Sequence, residues 1–349
     1  MWEQTIKQIK PISESWLNRA KERLDNLTKP KGSLGVLEEI AARVVAIRKE
    51  ERPSINKKEV FVFAGDHEVV SEGVSAYPQE VTGLMVKNFL NGGAGINVLA
   101  RSAGANVSII DIGMKENIPN AQGLIKKNVG RGAHNIAKGP AMTVEEAEKA
   151  INVGIEMAEI AFSRRTTMIA TGEMGIGNTT PSSALLSALL PAEVIDVTGR
   201  GTGLDDEGLL NKVKVIKKAL EVNKSSMNNP VSTLAAVGGF EIAGICGLCL
   251  GGAARRMIVV VDGFISSAGA LVATRINPTV KDYLFFSHQS TETGHRTFFE
   301  KEKIRPVLDL ELRLGEGTGA ALVMNIIEDA LKIYNEMATF QEVGIKPGT

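Results

Sequence analysis

Two glutamates in this sequence stand inside glycine turns, a setting that leaves a carboxylate free to face a ligand. Glu173 lies in Gly172-Glu173-Met174-Gly175-Ile176-Gly177-Asn178-Thr179-Thr180, and Glu316 in Arg313-Leu314-Gly315-Glu316-Gly317-Thr318-Gly319. A glutamate between glycines is poorly placed for pairing along a helix, and an apolar neighbour such as Leu314 helps raise its proton affinity. Two carboxylates facing one anomeric carbon suit glycosyl chemistry, one taking a proton while the other stabilises an oxocarbenium-like charge. Spacing alone does not separate this reading from two exposed loop acids.

Two further loops combine glycine with functional side chains, Gly65-Asp66-His67 and Thr198-Gly199-Arg200-Gly201-Thr202-Gly203. One such loop is ordinarily a tight turn. Four together favour a binding site, because glycine admits a close ligand at an entropic cost that a plain turn seldom meets so often. Residues 166–170 read as a buried strand ahead of the Glu173 loop, and Pro181 suits a helix start near that position. Strand, glycine turn and helix start together present N–H groups and a positive dipole end to an anion. No Gly-Lys-Ser/Thr follows, so the lysine that serves a triphosphate is missing and a monophosphate fits better. Lys212 is a candidate partner for it, although by spacing alone it reads as a solvated helix lysine. The Gly199-Arg200-Gly201-Thr202-Gly203 run follows a weak strand at best, residues 191–197, and lacks the third glycine of a dinucleotide fingerprint. Asp262 is a single acid where a pyrophosphate-ribose loop has two, which again favours a nucleotide monophosphate over a metal-chelated pyrophosphate.

The elements that must carry these loops are legible in outline. Residues 60–66, 107–111 and 257–262 are short β-branched runs ending in Gly or Asp and followed by helical patterns. Strands that are nearly all apolar and alternate with helices imply a parallel sheet covered on both faces. Ligands then sit beyond the carboxyl ends of the strands, so the loops starting at Asp66, Gly172 and Asp262 should share one crevice. The first fifty residues read as helical, with Ser13 as a cap and a second run through Leu37, Ile40, Ala41, Val44 and Ile47; residues 319–338 return to helical spacing, with Leu322, Ile326, Ala330 and Ile333 on one face. The expected fold is α/β: a doubly wound, mainly parallel sheet with a smaller helical domain built from both chain termini. Residues 1–54 and 321–349 would form the helical part and 55–320 a Rossmann-like catalytic domain.

Lys plus Arg and Asp plus Glu are equal at 40 each, so no overall field favours nucleic acid or an anionic membrane surface. The apolar stretches at 242–254 and 257–273 are too short, or are interrupted by Arg255, Arg256 and Asp262, to span a bilayer, and Met1-Trp2-Glu3-Gln4 lacks a signal-peptide pattern. A cytoplasmic protein is expected. Cys246 and Cys249 sit among small apolar residues and read as packed thiols in a buried helix. His67, His134, His288 and His295 are scattered, without metal-ligand spacing.

A wider set of segments fits one family. Leu27-Thr28-Lys29-Pro30-Lys31-Gly32-Ser33-Leu34-Gly35, Ala64-Gly65-Asp66-His67, Gly73-Val74-Ser75-Ala76-Tyr77-Pro78, Val237-Gly238-Gly239-Phe240-Glu241 and the glycine loops above resemble, in order and over nearly the whole chain, the nicotinate-nucleotide:dimethylbenzimidazole phosphoribosyltransferases. The resemblance implies transfer of phosphoribose from nicotinate mononucleotide to 5,6-dimethylbenzimidazole or a related base, giving α-ribazole 5′-phosphate and nicotinate in cobalamin biosynthesis. It implies that Glu316 is the general base, and that Tyr77, Met85, Glu173, Met174 and Leu314 lie against the aromatic base. It places the 5′-phosphate against residues 175–179, among them Gly175, Gly177, Asn178 and Thr179, and against Gly201 and Lys212. A homodimer with no cofactor and no metal is expected. Family members often read H-R-S-A-E-P-G-H where this chain has His288-Gln289-Ser290-Thr291-Glu292-Thr293-Gly294-His295, so an arginine is replaced by Gln289. Positions 77 and 85 vary among members and bear on which base is accepted.

Overall fold

Runs such as Val60-Phe61-Val62-Phe63 and Ile258-Val259-Val260-Val261 are apolar on both sides of the pleat, and only a strand covered on both faces accommodates them. The computed structural model describes residues 1–119 and 121–345. It contains β1 (Lys58–Gly65), β2 (Asn106–Gly113), β3 (Leu124–Lys126), β4 (Met168–Met174), β5 (Ile258–Val261) and β6 (Leu284–Phe286). They form one sheet in the order β3-β2-β1-β4-β5-β6, and every neighbouring pair is parallel. The expected doubly wound parallel sheet is present.

The strand order reverses between β1 and β4, where the chain leaves one half of the sheet for the other. Connections diverge there and open a crevice at the carboxyl ends. In the β1–β4 pairing Phe63 lies opposite Glu173 and Ala64 opposite Met174, so β4 carries Glu173 to the rim of that crevice.

One face of the sheet is covered by helix Phe240–Ala254, which packs on β1, β2, β4 and β5 and is itself covered by helices Val144–Ser163 and Phe264–Ile276. Residues 240–253 of this helix are all buried, as a helix apolar on every side must be. Its two cysteines are fully buried free thiols; burial pushes Cys249 up to about 12 and Cys246 well above the ordinary thiol range, so both are packed and inert. The other face carries helices Val81–Leu90, Gly95–Ala103 and Thr318–Glu336. Helices Glu14–Asn26 and Val36–Arg48 pack on each other, and the second packs on Thr318–Glu336. Leu27 forms an antiparallel bridge with Thr339, which ties the two ends of the chain together. Ser13 caps the helix from Glu14 by accepting the Trp16 N–H. No described helix is long and apolar enough to cross a membrane.

Three local expectations are corrected. Glu173 is in a strand rather than a loop, because the ladder to β1 continues through Met174 and overrides the glycine signal. The following helix starts at Thr179 with Pro181 in its first turn, as expected, where N–H groups lack helical partners anyway. Residues 191–197 contain a 3₁₀ turn, Val194–Val197, instead of a strand. On the last helix the buried stripe runs through Val323, Met324, Ile327, Ala330, Leu331 and Tyr334, while Leu322, Ile326 and Ile333 are only half-buried.

Candidate active site

Glu316 enters the crevice on three successive left-handed residues, with φ of 79° at Gly315, 64° at Glu316 and 99° at Gly317. For a residue with a side chain that conformation is strained, and it persists only where the surroundings hold it. The Glu316 carbonyl lies so close to Gly172 of β4 that a Cβ there would stand 2.5 Å from its oxygen. Its N–H points to Oε1 of Glu173 at 3.4 Å, and its carboxylate Oε2 accepts the Ile96 N–H at 3.2 Å from the first turn of helix Gly95–Ala103. The residue is only 4% exposed, which rejects the loose surface acid. Burial raises its pKa, the Ile96 N–H opposes that rise, and the nearby Asp262 charge adds to it.

Glu173 is 7% exposed and shares the pocket. Burial pushes its pKa up to about 8; the Asn178 amide, donating to Oε2, opposes this, while Asp262 and Glu241 reinforce it. Glu173 is therefore neutral at pH 7 in the free protein. Both carboxyls are harder to ionise than exposed glutamates, each through its burial and the nearby Asp262 charge.

The second cluster lies at the start of helix Thr179–Leu189. Lys212 is fully buried, contrary to the solvated lysine its helical spacing indicates, and its ammonium donates to Thr179 Oγ1 at 2.7 Å and to the Gly199 carbonyl at 3.1 Å. Burial lowers its pKa to about 8, against the attraction of Glu292. A Cβ on Gly201 would meet Thr179 Oγ1 at 2.8 Å and Lys212 Nζ at 3.1 Å, so this loop closes over the same spot. Gly175 and Gly177 carry the turn between β4 and that helix, and the Ile176 N–H is held by Thr82 Oγ1 at 3.1 Å. Thr82 sits on helix Val81–Leu90, which carries the half-buried Met85. Met174 is the half-buried last residue of β4. Tyr77 is 55% exposed and joined to the cluster only through its neighbours: the Ala76 N–H reaches Thr202 Oγ1 at 2.9 Å. Leu314, 59% exposed, and Glu173 both line a small cavity of about 30 Å³ with Ser266, His288, Ser290 and Arg313. That is room for about one water. Larger hollows lie elsewhere, so the convergence of polar groups, and not size, marks the site.

The chain matches the phosphoribosyltransferase family model over residues 9–345. It is 52% identical over 343 residues to the nicotinate-nucleotide:dimethylbenzimidazole phosphoribosyltransferase of Geobacter sp. (strain M21), covering 98% of both chains. The same-named protein of Geobacter sulfurreducens is 54% identical over 345 residues, covering 99% of this chain and 98% of that one. The crystal structure of CobT from Thermus thermophilus superposes with a TM-score of 0.92 at 46% identity, covering 96% of this chain and 100% of that one. This chain belongs to the nicotinate-nucleotide:dimethylbenzimidazole phosphoribosyltransferase family.

Within this phosphoribosyltransferase, several buried contacts are not legible in the sequence. His67 and Glu241 are paired beneath the loop after β4, their Nε2 and Oε1 atoms 2.7 Å apart. Asp262 accepts two backbone N–H groups just beyond Glu316. His295 accepts the Ser290 N–H at Nδ1, so its other nitrogen carries the proton and donates to Ser267 Oγ at 3.0 Å; burial holds it well below the ordinary histidine range, hence neutral. These partners lie far apart in sequence, and only the hydrophilic residues in G-D-H and G-G-F-E hinted at a buried pair. Gln289, where family members often have arginine, donates its backbone N–H to Leu308 at 2.9 Å. Among the described residues no group of three or more His, Cys, Asp or Glu is placed to hold a metal ion.

Proposed function

We propose that this protein transfers the phosphoribosyl group of nicotinate mononucleotide to 5,6-dimethylbenzimidazole or a related base, giving α-ribazole 5′-phosphate and nicotinate. The names of its relatives support the transfer. The observation that carries the mechanism is the pairing of a buried Glu316, held on a left-handed turn, with a Glu173 that keeps its proton at neutral pH.

Glu316 is the general base. It takes the proton from one ring nitrogen of the benzimidazole as the other nitrogen attacks C1′ from the face opposite the pyridinium. The new N–C1′ bond forms as the C1′–pyridinium bond breaks, its electron pair neutralises the pyridinium nitrogen, and the configuration inverts from β to α. The surroundings that raise Glu316 make it a stronger proton acceptor than an ordinary carboxylate. Glu173, neutral in the free protein, orders the pocket by hydrogen bonding to Asn178 and lies with Met174, Tyr77, Met85 and Leu314 against the incoming base. Gly175, Gly177, Asn178, Thr179, Gly201 and Lys212 hold the 5′-phosphate, where the helix start at Thr179 and the buried ammonium converge. The working unit is a homodimer.

The test is to incubate the purified protein with nicotinate mononucleotide, with and without dimethylbenzimidazole, and to separate the products by chromatography. Base-dependent appearance of nicotinate and ribazole phosphate together is expected. Nicotinate released equally without the base would make the protein a hydrolase instead, and no release at all would leave a binding role.

A further inference from the structure

We propose that Asp262 is a positioning residue for Glu316: from the tip of β5 its two oxygens hold the backbone just beyond Glu316 and fix the left-handed turn that aims the carboxylate. The inference rests on the reading of Glu316 as the base. Asp262 Oδ2 accepts the Gly317 N–H at 3.1 Å and Oδ1 the Ala320 N–H at 2.9 Å. Gly317 precedes the first residue of helix Thr318–Glu336 and has no side chain to cap it, so a residue distant in sequence supplies the cap.

Asp262 is itself anchored on both sides. Its N–H donates to Thr171 Oγ1 of β4 at 3.0 Å, and its carbonyl accepts the Ser287 hydroxyl, just after β6, at 3.0 Å. The last helix is thereby fastened to three strands at the point where Glu316 leaves it. A strained φ of 64° at Glu316 needs such a hold on its following peptide, since Gly172 offers its carbonyl only space and the Glu173 contact to its N–H is long at 3.4 Å.

A plain helix cap would act on stability alone, whereas this carboxylate also faces the base. The ionisable groups around Glu316 are Glu173 from β4 and Asp262 from the β5 tip, with His288 from the β6 tip behind Asp262. Helix Gly95–Ala103 contributes the Ile96 N–H, and Arg313 on the same loop is exposed. The Asp262 charge makes Glu316 harder to ionise, so its removal moves the acid limb of the pH–rate profile to lower pH.

The experiment compares wild type, Asp262→Asn and Glu316→Gln in the transfer assay across pH, with thermal melting as the check on folding. Asp262→Asn puts an amide against two N–H donors and loosens the turn. Its kcat is expected to fall about 10²-fold, the effect of a misplacement near 1 Å, with KM for nicotinate mononucleotide within about twofold and the acid limb displaced downward. A kcat within about twofold of wild type, or a loss with the acid limb unmoved, overturns the proposal. Wild-type rates in Glu316→Gln would instead remove the base assignment on which it rests. Should Asp262→Asn fail to fold, Thr171→Val removes only the hydroxyl that accepts the Asp262 N–H and keeps every charge. A lower kcat at unchanged KM then supports the hold, and an unchanged kcat overturns it.

Discussion

Nε2 of His67 lies 2.7 Å from Oε1 of Glu241, with the imidazole 2% exposed and the carboxylate sealed from solvent. The contact ties the loop after β1 to the first turn of the buried helix Phe240–Ala254, and Gly239 is required beside it because a Cβ there would strike the His67 ring. Removing one member of a buried ionisable pair leaves the other without a partner, at a cost of about 3 to 5 kcal/mol. Glu241→Ala should lower unfolding free energy by that order, and the isosteric Glu241→Gln by less. Urea unfolding measures both; a cost below about 1 kcal/mol for the alanine would show that the pair contributes little.

Glu316→Gln keeps the shape of the side chain and removes its ability to take a proton. Turnover is expected to fall by roughly 10² to 10⁴, the range for a positioned general base. Nucleotide affinity should survive, because the proposed phosphate site is built from other residues. Steady-state kinetics with nicotinate mononucleotide as the varied substrate checks this, and equal turnover in both proteins would exclude the assignment.

Glu173 makes stability depend on pH in a defined direction. Burial lifts it to about 8 from an ordinary 4.5, so between these values the folded chain keeps a proton that the unfolded chain has released. Stability is unaffected by this group below about 4.5, falls as pH rises through the window, and levels off above about 8. Glu173→Gln cannot release a proton and escapes the loss. The wild type should therefore lose a few kcal/mol relative to the variant between about pH 5 and pH 8, read from melting curves at both values. Parallel pH dependence in the two proteins would refute the buried neutral carboxyl.

Much of this site could be read along the chain because its main parts are contiguous. Glycines beside Glu173 and Glu316 mark backbone that must come close to something, and the apolar runs before Asp66, Gly172 and Asp262 carry these residues to the carboxyl edge of the sheet. What stayed hidden depends on pairs distant in sequence. Lys212 looks like an exposed lysine because its neighbours Lys214, Lys217 and Lys218 are polar, and only the fold reveals that its position on the helix faces Thr179 and Gly199. The Glu173 strand was masked by its glycines, since a ladder to β1 is a tertiary effect that local propensity does not contain.

The proposed phosphate site draws its buried positive charge from Lys212, whose pKa burial brings down to about 8. Lys212→Met should raise KM for nicotinate mononucleotide about 10- to 100-fold, equivalent to a charged hydrogen bond of about 1.5 to 3 kcal/mol. As pH climbs past about 8 the wild-type ammonium loses its proton and KM should rise toward that of the variant, which lacks this dependence. Initial rates on either side of that pH test both statements, and a wild-type KM that follows the methionine variant at every pH would place the phosphate elsewhere.

Gly172 tests whether the carbonyl of Glu316 must sit where it does. Its backbone is ordinary strand, so alanine carries no conformational penalty, yet the added Cβ would lie 2.5 Å from that carbonyl oxygen and 3.1 Å from Val62 Cγ2. The oxygen belongs to main chain held at both ends and has no rotamer to adopt, so the turn itself must move and carry the carboxylate with it. Gly139→Ala, which meets nothing within 4 Å, is the control. Gly172→Ala should fold and lose about 10²-fold or more in kcat, whereas Gly139→Ala should match wild type. If the two variants are equally active, the left-handed turn tolerates displacement and the rigid placement of Glu316 is not what the reaction needs.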